Sequence, residues 1–352
     1  MLTEGISEEF SITQKRAPYL PFLSDVNRCI ASCFIWHLRP DSGRLRSFKT
    51  GDLDLKVQKV LVLHKKTTYQ IQAEEYRESR FLKLLQEKSK VVERVELAHN
   101  EHIATMEVVE AELSKRKIAY RIIARSELDH YIQDIDLMIS VGGDGTFLDA
   151  SHSLDKVPLL GVNSSQSSSF GHFCLANQDN FASLLDQIMN DTLSYVNILR
   201  LRLELNGEVL PQRSLNEILV AHTSPAATSR YFMQLDEIQE EHRSSGVLVG
   251  SPAGSTGTLR SAGARVLPID FDQYQFMVRE PNMRPSDNWQ LLQGLVARSK
   301  PLVITSQMRT GAIFVDGPHI VYPFALGDRL TVHAEGNDLL AFVDRKVNDI
   351  FS

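Results

Sequence analysis

The spacing of apolar and polar positions changes character twice along this chain of 352 residues. Up to about Leu55 there is no sustained period. Pro18, Pro21 and Pro40 interrupt scattered charges and one apolar patch from Cys29 to Trp36, the pattern of an arm or tail. From Lys59 onward short apolar runs alternate with helical spacing. Lys59 to Leu63, Ala119 to Ala124, Asp136 to Val141 and Pro158 to Val162 read as buried strands. Between and after them, Glu75 to Leu85, His102 to Lys115 and Asn180 to Met189 read as helices; Ile103, Met106, Val109 and Leu113 mark one apolar face. Continuous apolar strands separated by helices predict a parallel sheet covered on both faces, which takes its ligands beyond the carboxyl ends of its strands.

After Met189 the period falls to two. Leu199, Leu201, Leu203 and Leu205 alternate with polar residues, and Asn206-Gly207 supplies a hairpin turn. Runs at Ile218–Ala221, Arg230–Leu235, Gly246–Val249, Leu302–Thr305, Ala312–Val315 and Arg329–His333 continue the pattern. The expected fold is therefore a Rossmann-like α/β domain with a parallel sheet, followed by an all-β, sandwich-like domain. The boundaries read as an arm over 1–55, an α/β nucleotide-binding domain over 56–165, a β-rich domain over 166–335 and a C-terminal segment over 336–352 that packs back on the α/β domain.

Composition narrows the functional classes. The chain is 43% hydrophobic and 23% charged, with a formal charge of −6, which offers no general footprint for nucleic acid or an anionic membrane. No apolar run approaches the roughly 20 residues that a membrane helix needs. Three cysteines make no disulfide framework, so a reducing compartment is expected, the cytoplasm first, with an organelle left open. Cys29, Cys33 and His37 share a four-residue spacing, but a fourth metal ligand is missing and core contacts explain them more simply. No metal ligand is assigned.

Two loops carry chemistry. At the end of the third strand stands Val141-Gly-Gly-Asp-Gly-Thr146, where Gly142, Gly143 and Gly145 leave backbone N–H groups open to phosphate and Thr146 is placed to cap the next helix. Asp144 is out of character among phosphate-binding glycines. Either it accepts the proton of an attacking hydroxyl, or it helps to hold Mg²⁺. In the β-rich half, Ser251-Pro-Ala-Gly-Ser-Thr-Gly-Thr258 and Ser261-Ala-Gly263, read as a helix start, offer hydroxyls and small residues suited to phosphate or ribose oxygens. Asn216-Glu217 sits among apolar strand residues and suits a ribose diol or a base edge, although an exposed turn is the commoner meaning of such a pair. Asp316-Gly317 reads as a turn with no catalytic role.

Taken together, VGGDGTFLDASH (141–152), LLGVNS (159–164), LNEILV (215–220) and SSGVLVGSPAGSTGT (244–258) resemble the NAD kinase family over residues 57–350. SPAATSRY at 224–231 and IFVDG at 313–317 are most similar to the branch that includes plant NADH kinases. The resemblance implies a homodimeric or homotetrameric kinase, dependent on ATP and Mg²⁺, that phosphorylates the 2′-hydroxyl of the adenosine ribose of NAD⁺ or NADH. It implies Asp144 as general base, Gly142, Gly143, Gly145 and Thr146 as the phosphate loop, and Asn163, His172, Asn216, Glu217, Ser245, Thr256, Gly257, Thr258 and Ser261 as dinucleotide-binding positions. Ser245 stands where the family has an acid, Thr258 where Tyr is frequent, and His172 where Phe is frequent; a site with fewer carboxylates suits the uncharged ring of NADH as well as NAD⁺. The alternatives are a lipid or sphingoid kinase, which shares a GGDGT loop, and a non-catalytic NAD(H) sensor.

Overall fold

The computed structural model describes residues 56–128, 132–336 and 338–351. The Cys29, Cys33 and His37 cluster lies outside the described residues, as does the whole of the arm read over 1–55.

The first sheet has seven strands: β1 (Lys59–His64), β2 (Ala119–Ala124), β3 (Leu137–Gly142), β4 (Leu159–Asn163), β5 (Ala176–Asn177), β6 (Val196–Ile198) and β19 (Leu339–Phe342). Its order is β2-β1-β3-β4-β19-β6, with β5 beside β4. All pairs are parallel except β19 with β6. Residues 176–198, beyond the 56–165 segment, thus add β5 and β6 to this sheet. β3 and β4 are buried throughout, which accounts for their unbroken apolar runs.

The helices are α1 (Ser79–Gln86), α2 (Glu93–Lys115), α3 (Asp144–His152), α4 (Phe181–Met189) and the four-residue α5 (Thr258–Ser261). α1 starts later than the run from Glu75 suggests. A π-helical turn fills Gln70–Glu75, Arg77 has φ +49°, and the Glu78 carboxylate then caps α1 by accepting from Arg80 N and Phe81 N. Conversely, α2 begins nine residues ahead of the His102 start that the apolar stripe suggests. Its buried residues, His102, Thr105, Met106, Val109 and Leu113, all lie from His102 onward, while the stretch before them touches the body through His99, stacked on Tyr69, and Glu93 and Glu96 favour its N-terminal end.

Two antiparallel six-stranded sheets follow. One runs β11 (Ile238–Ser244), β10 (Ser229–Leu235), β15 (Leu302–Ser306), β18 (Arg329–His333), β7 (Arg202–Leu205), β8 (Glu208–Val209). The other runs β14 (Gln293–Ala297), β13 (Gln273–Val278), β12 (Val247–Gly250), β9 (Glu217–His222), β16 (Gly311–Val315), β17 (Ile320–Phe324). Their inward residues, among them Leu203, Val220, Tyr231, Val249, Phe276, Ile304 and Phe324, form one core, so the pair is a sandwich. A second cluster brings Phe147 and Leu148 of α3 together with Leu215 and Ala253 from the sandwich loops. That contact sets the glycine loop against the sandwich.

Candidate functional site

The register of β3 with β4 fixes the first half of the site. Gly142 pairs with Asn163, and the strand runs directly into α3, whose N-cap is Gly143 and whose first residue is Asp144. The helix therefore starts earlier than a cap at Thr146 requires. Thr146 is inside the first turn, buried, and donates its N–H to Gly143 O at 2.9 Å. A Cβ on Gly142 would collide with the buried Thr146 side chain, so this glycine is required for space; one on Gly143 would meet only the Ser169 hydroxyl, and neither glycine has a positive φ. Helix geometry leaves the amides of Asp144 and Gly145 as N-terminal donors, pointing out of the loop.

Asp144 is itself held. Its Oδ1 accepts the Phe173 N–H at 2.8 Å; among the described residues Oδ2 has no hydrogen-bond partner. Beside it stands His172, whose Nε2 lies 2.9 Å from Asn348 Oδ1 and 3.4 Å from Thr256 Oγ1. Burial lowers the His172 pKa, against the bond to Asn348 and the charge of Asp144, which raise it. Asn348 in turn donates to Pro252 O at 3.0 Å and Leu267 O at 2.7 Å, tying the C-terminal segment to the Ser251–Thr258 loop. A cavity of about 650 Å³ opens against His172, lined also by Cys174, Asp344 and Lys346, a size that suits a small-molecule ligand.

The second half is the Asn216-Glu217 pair at the start of β9. Glu217 pairs across the sheet with Gly250, just ahead of the Ser251–Thr258 loop. Gly254 packs so closely on Asn216 that a Cβ would overlap the Asn216 carbonyl. Asn216 Oδ1 and Glu217 Oε2 are buried without a hydrogen-bond partner. Burial, and then the charge of Asp316, push the Glu217 pKa up to about 7, partly offset by a hydrogen bond with Thr258. Two orphaned buried oxygens on consecutive residues are costly unless a ligand's hydroxyl or amino groups complete them.

Residues 55–193 match the family model described as the ATP-NAD kinase N-terminal domain. A probable NADH kinase from Oryza sativa subsp. japonica is 35% identical over 256 residues, covering 66% of this chain and 79% of the relative. The NADH kinase of Arabidopsis thaliana is 32% identical over 263 residues, 68% of this chain and 83% of that one. The chain belongs to the NAD kinase family. The same fold recurs in an NAD kinase from Archaeoglobus fulgidus solved with ATP, with a TM-score of 0.59 at 18% identity, over 83% of this chain and 96% of that one. Yeast NADH kinase solved with NADH gives a TM-score of 0.63 at 14% identity, over 84% and 86% of the two chains.

Within this NAD kinase family member, Asp144, His172 and Thr256 gather at one place, and Asn216, Glu217 and Thr258 at another, joined by the Ser251–Thr258 loop. The other expected positions are less direct. Asn163 bonds its own loop, donating to Ser169 O at 3.0 Å and accepting from Ser165 N. Gly257 is exposed between the 3₁₀ turn Ala253–Thr256 and α5. α5 ends at Ser261, so the Ser261–Gly263 stretch closes a helix and does not begin one. Ser261 bonds Gly257 O at 3.4 Å and lines a cleft of about 580 Å³ with Thr258, Met277 and Arg279. Ser245 precedes β12, at the opposite end of that strand from Gly250 and Glu217. Among the described residues no cluster of three His, Cys, Asp or Glu side chains forms a metal site.

Two residues of the site were not legible as such. Asp316-Gly317 is a turn, with φ +48° and +116°, but the Asp316 carboxylate is fully buried. It accepts from Ser214 Oγ at 2.6 Å, from the N–H groups of Leu215, Asn216 and Glu217 at 2.8, 2.8 and 3.1 Å, and from His152 Nε2 at 2.8 Å. Asp316 reads from the sequence as a turn with no catalytic role; the structure adds that it shapes the backbone of the pair that carries the orphaned oxygens. Asn348 is the other. An isolated Asn near a C-terminus carries no signal, and IFVDG entered the family resemblance without assigning Asp316 to the site.

Proposed function

We propose that this chain transfers the γ-phosphoryl group of ATP to the 2′-hydroxyl of the adenosine ribose of NAD⁺ or NADH, with Asp144 as general base. The observation that carries the reading is the junction of the two half-sites. A carboxylate at the start of a helix, with N–H donors beside it, is linked through His172, Thr256 and the 251–258 loop to two buried, unpartnered oxygens on Asn216 and Glu217. Asn216 and Glu217 hold ribose hydroxyls or the adenine edge, and the amides of Asp144 and Gly145 take phosphate oxygens. Asp144 then removes the proton from the attacking hydroxyl, and the remaining barrier is lowered by positioning and charge neutralisation. The plant relatives named NADH kinase favour acceptance of NADH.

A divalent cation, Mg²⁺ in the first place, would be held through the phosphate oxygens of the nucleotide, the usual way this ion is held at phosphoryl-transfer sites, with Asp144 left free as the base. Bound there, it would supply charge neutralisation on the transferring group. The working form is proposed as a homodimer or homotetramer in a reducing compartment, the cytoplasm first. Among the described residues no helix is long and apolar enough to cross a membrane.

The test is product identification. With ATP, Mg²⁺ and either NAD⁺ or NADH, the protein is expected to release NADP⁺ or NADPH. Phosphorylation of diacylglycerol or a sphingoid base in place of NAD(H) would establish the lipid kinase reading, and NAD(H) binding with no product would establish a sensor.

A further inference from the structure

Lys65 is an unusual side chain in this chain. It is half-buried and, among the described residues, has no carboxylate partner; instead it is held near a second cation, Arg125. Burial, and then the charge of Arg125, lower its pKa, so the folded protein without ligand holds it at a cost. Six other half-buried cations find acids, among them Arg116 with Asp186 at 2.7 Å and Arg298 with Asp338 at 2.6 Å.

Its position explains what an anion there would be. Lys65 directly follows β1, and its N–H reaches Val141 O at 3.4 Å, next to Gly142. Arg125 directly follows β2, ion-paired to Asp149 one turn along α3, and its Nη1 lies 3.9 Å from where a Cβ on Gly145 would be. Because the sheet order is β2-β1-β3, Arg125, Lys65 and the Gly142–Gly145 loop stand side by side at the carboxyl edge of three neighbouring strands. Strand spacing makes that row about 10 Å wide. Two cations and the start of a helix along one edge suit an extended polyphosphate better than a single phosphate.

We propose that Lys65, with Arg125 beside it, is a binding residue for the triphosphate of the donor nucleotide, and that the uncompensated charge of Lys65 is neutralised only when ATP is bound. This rests on the kinase reading above. The diphosphate of NAD(H) shares the same chemistry, and the arms of the test separate the two sources.

Binding of ATP, ADP and AMP to full-length Lys65→Met and Lys65→Arg is measured by calorimetry, with KM for ATP and for NADH and the melting temperature without ligand. A charge-assisted contact of ordinary strength predicts that K65M weakens ATP by on the order of tenfold to a hundredfold. The loss should be smaller for ADP and absent for AMP, with KM for NADH unchanged, K65R restoring most of the ATP affinity, and the ligand-free melting temperature of K65M equal to or above wild type. Arg125→Met should follow the same order across the three nucleotides. Equal losses for ATP and AMP, or a raised KM for NADH with ATP unaffected, would overturn the assignment, as would a lower ligand-free melting temperature. A wild-type protein that binds no ATP would contradict the kinase reading itself, a result seen before any variant is compared.

Discussion

His152 Nε2 donates to Asp316 Oδ2 at 2.8 Å across 164 positions of sequence, joining the last residue of α3 to the turn after β16. The carboxylate is acceptor-only, so the imidazole supplies the proton. Since α3 begins with Asp144 and Asp316 also holds the amides of Leu215, Asn216 and Glu217, one buried carboxylate ties the phosphate-side helix to the dinucleotide-side pair.

Asp316→Asn removes the charge and one acceptor face from this junction. Losing a buried, multiply bonded carboxylate typically costs about 3 kcal/mol, so a clear fall in melting temperature is expected, together with a raised KM for NAD(H). Thermal denaturation and steady-state kinetics on the same preparation check both. Unchanged KM would mean that Asp316 only closes its turn.

Gly254→Ala is expected to push the Asn216 backbone away from the 251–258 loop, at a cost of about 1–3 kcal/mol. The loss should fall on kcat/KM for the dinucleotide more than on KM for ATP, because Gly254 faces Asn216. Equal effects on both substrates would place the damage elsewhere.

Glu217 has a pKa pushed up to about 7 by burial and Asp316, and only its ionised form accepts hydrogen bonds at both oxygens. KM for NAD(H) is therefore expected to fall as pH rises from 6 to 8, and Glu217→Gln should remove that slope. Retention of the slope in the variant would assign it to another group.

His102, on α2, has its pKa lowered from 6.5 to about 4, by burial first and then by the charges of Lys65, His64 and His99. Between these values the unfolded chain binds the proton and the folded chain does not, so stability rises with pH through this window and falls as pH drops from 6.5 towards 4. The shift corresponds to roughly 3 kcal/mol. Urea denaturation at pH 7 and pH 4.5 should show a smaller acid loss for His102→Gln than for wild type; an equal loss would contradict the assignment.

The fold was legible where burial imposes a single period. The β1, β3 and β4 runs are apolar throughout because both faces of the sheet are covered, and the alternating leucines of 199–205 face one sandwich core. Helix ends were less so: α1 is delayed by the Glu78 cap and the positive φ of Arg77, and α2 extends into charged sequence that buries no side chain. In the site, Asp144 and Asn216-Glu217 were readable because glycines or apolar strands frame them. Asp316 was not, since Asp-Gly is the ordinary spelling of an exposed turn and nothing local reveals that five donors from distant segments converge on it.

The central claim concerns one carboxylate. In single-turnover experiments with ATP, Mg²⁺ and NADH, Asp144→Asn should slow formation of NADPH by about 10²–10⁴-fold, the usual worth of a positioned general base, while leaving NADH affinity and the melting temperature close to wild type. A variant that forms NADPH at nearly the wild-type rate would contradict the account.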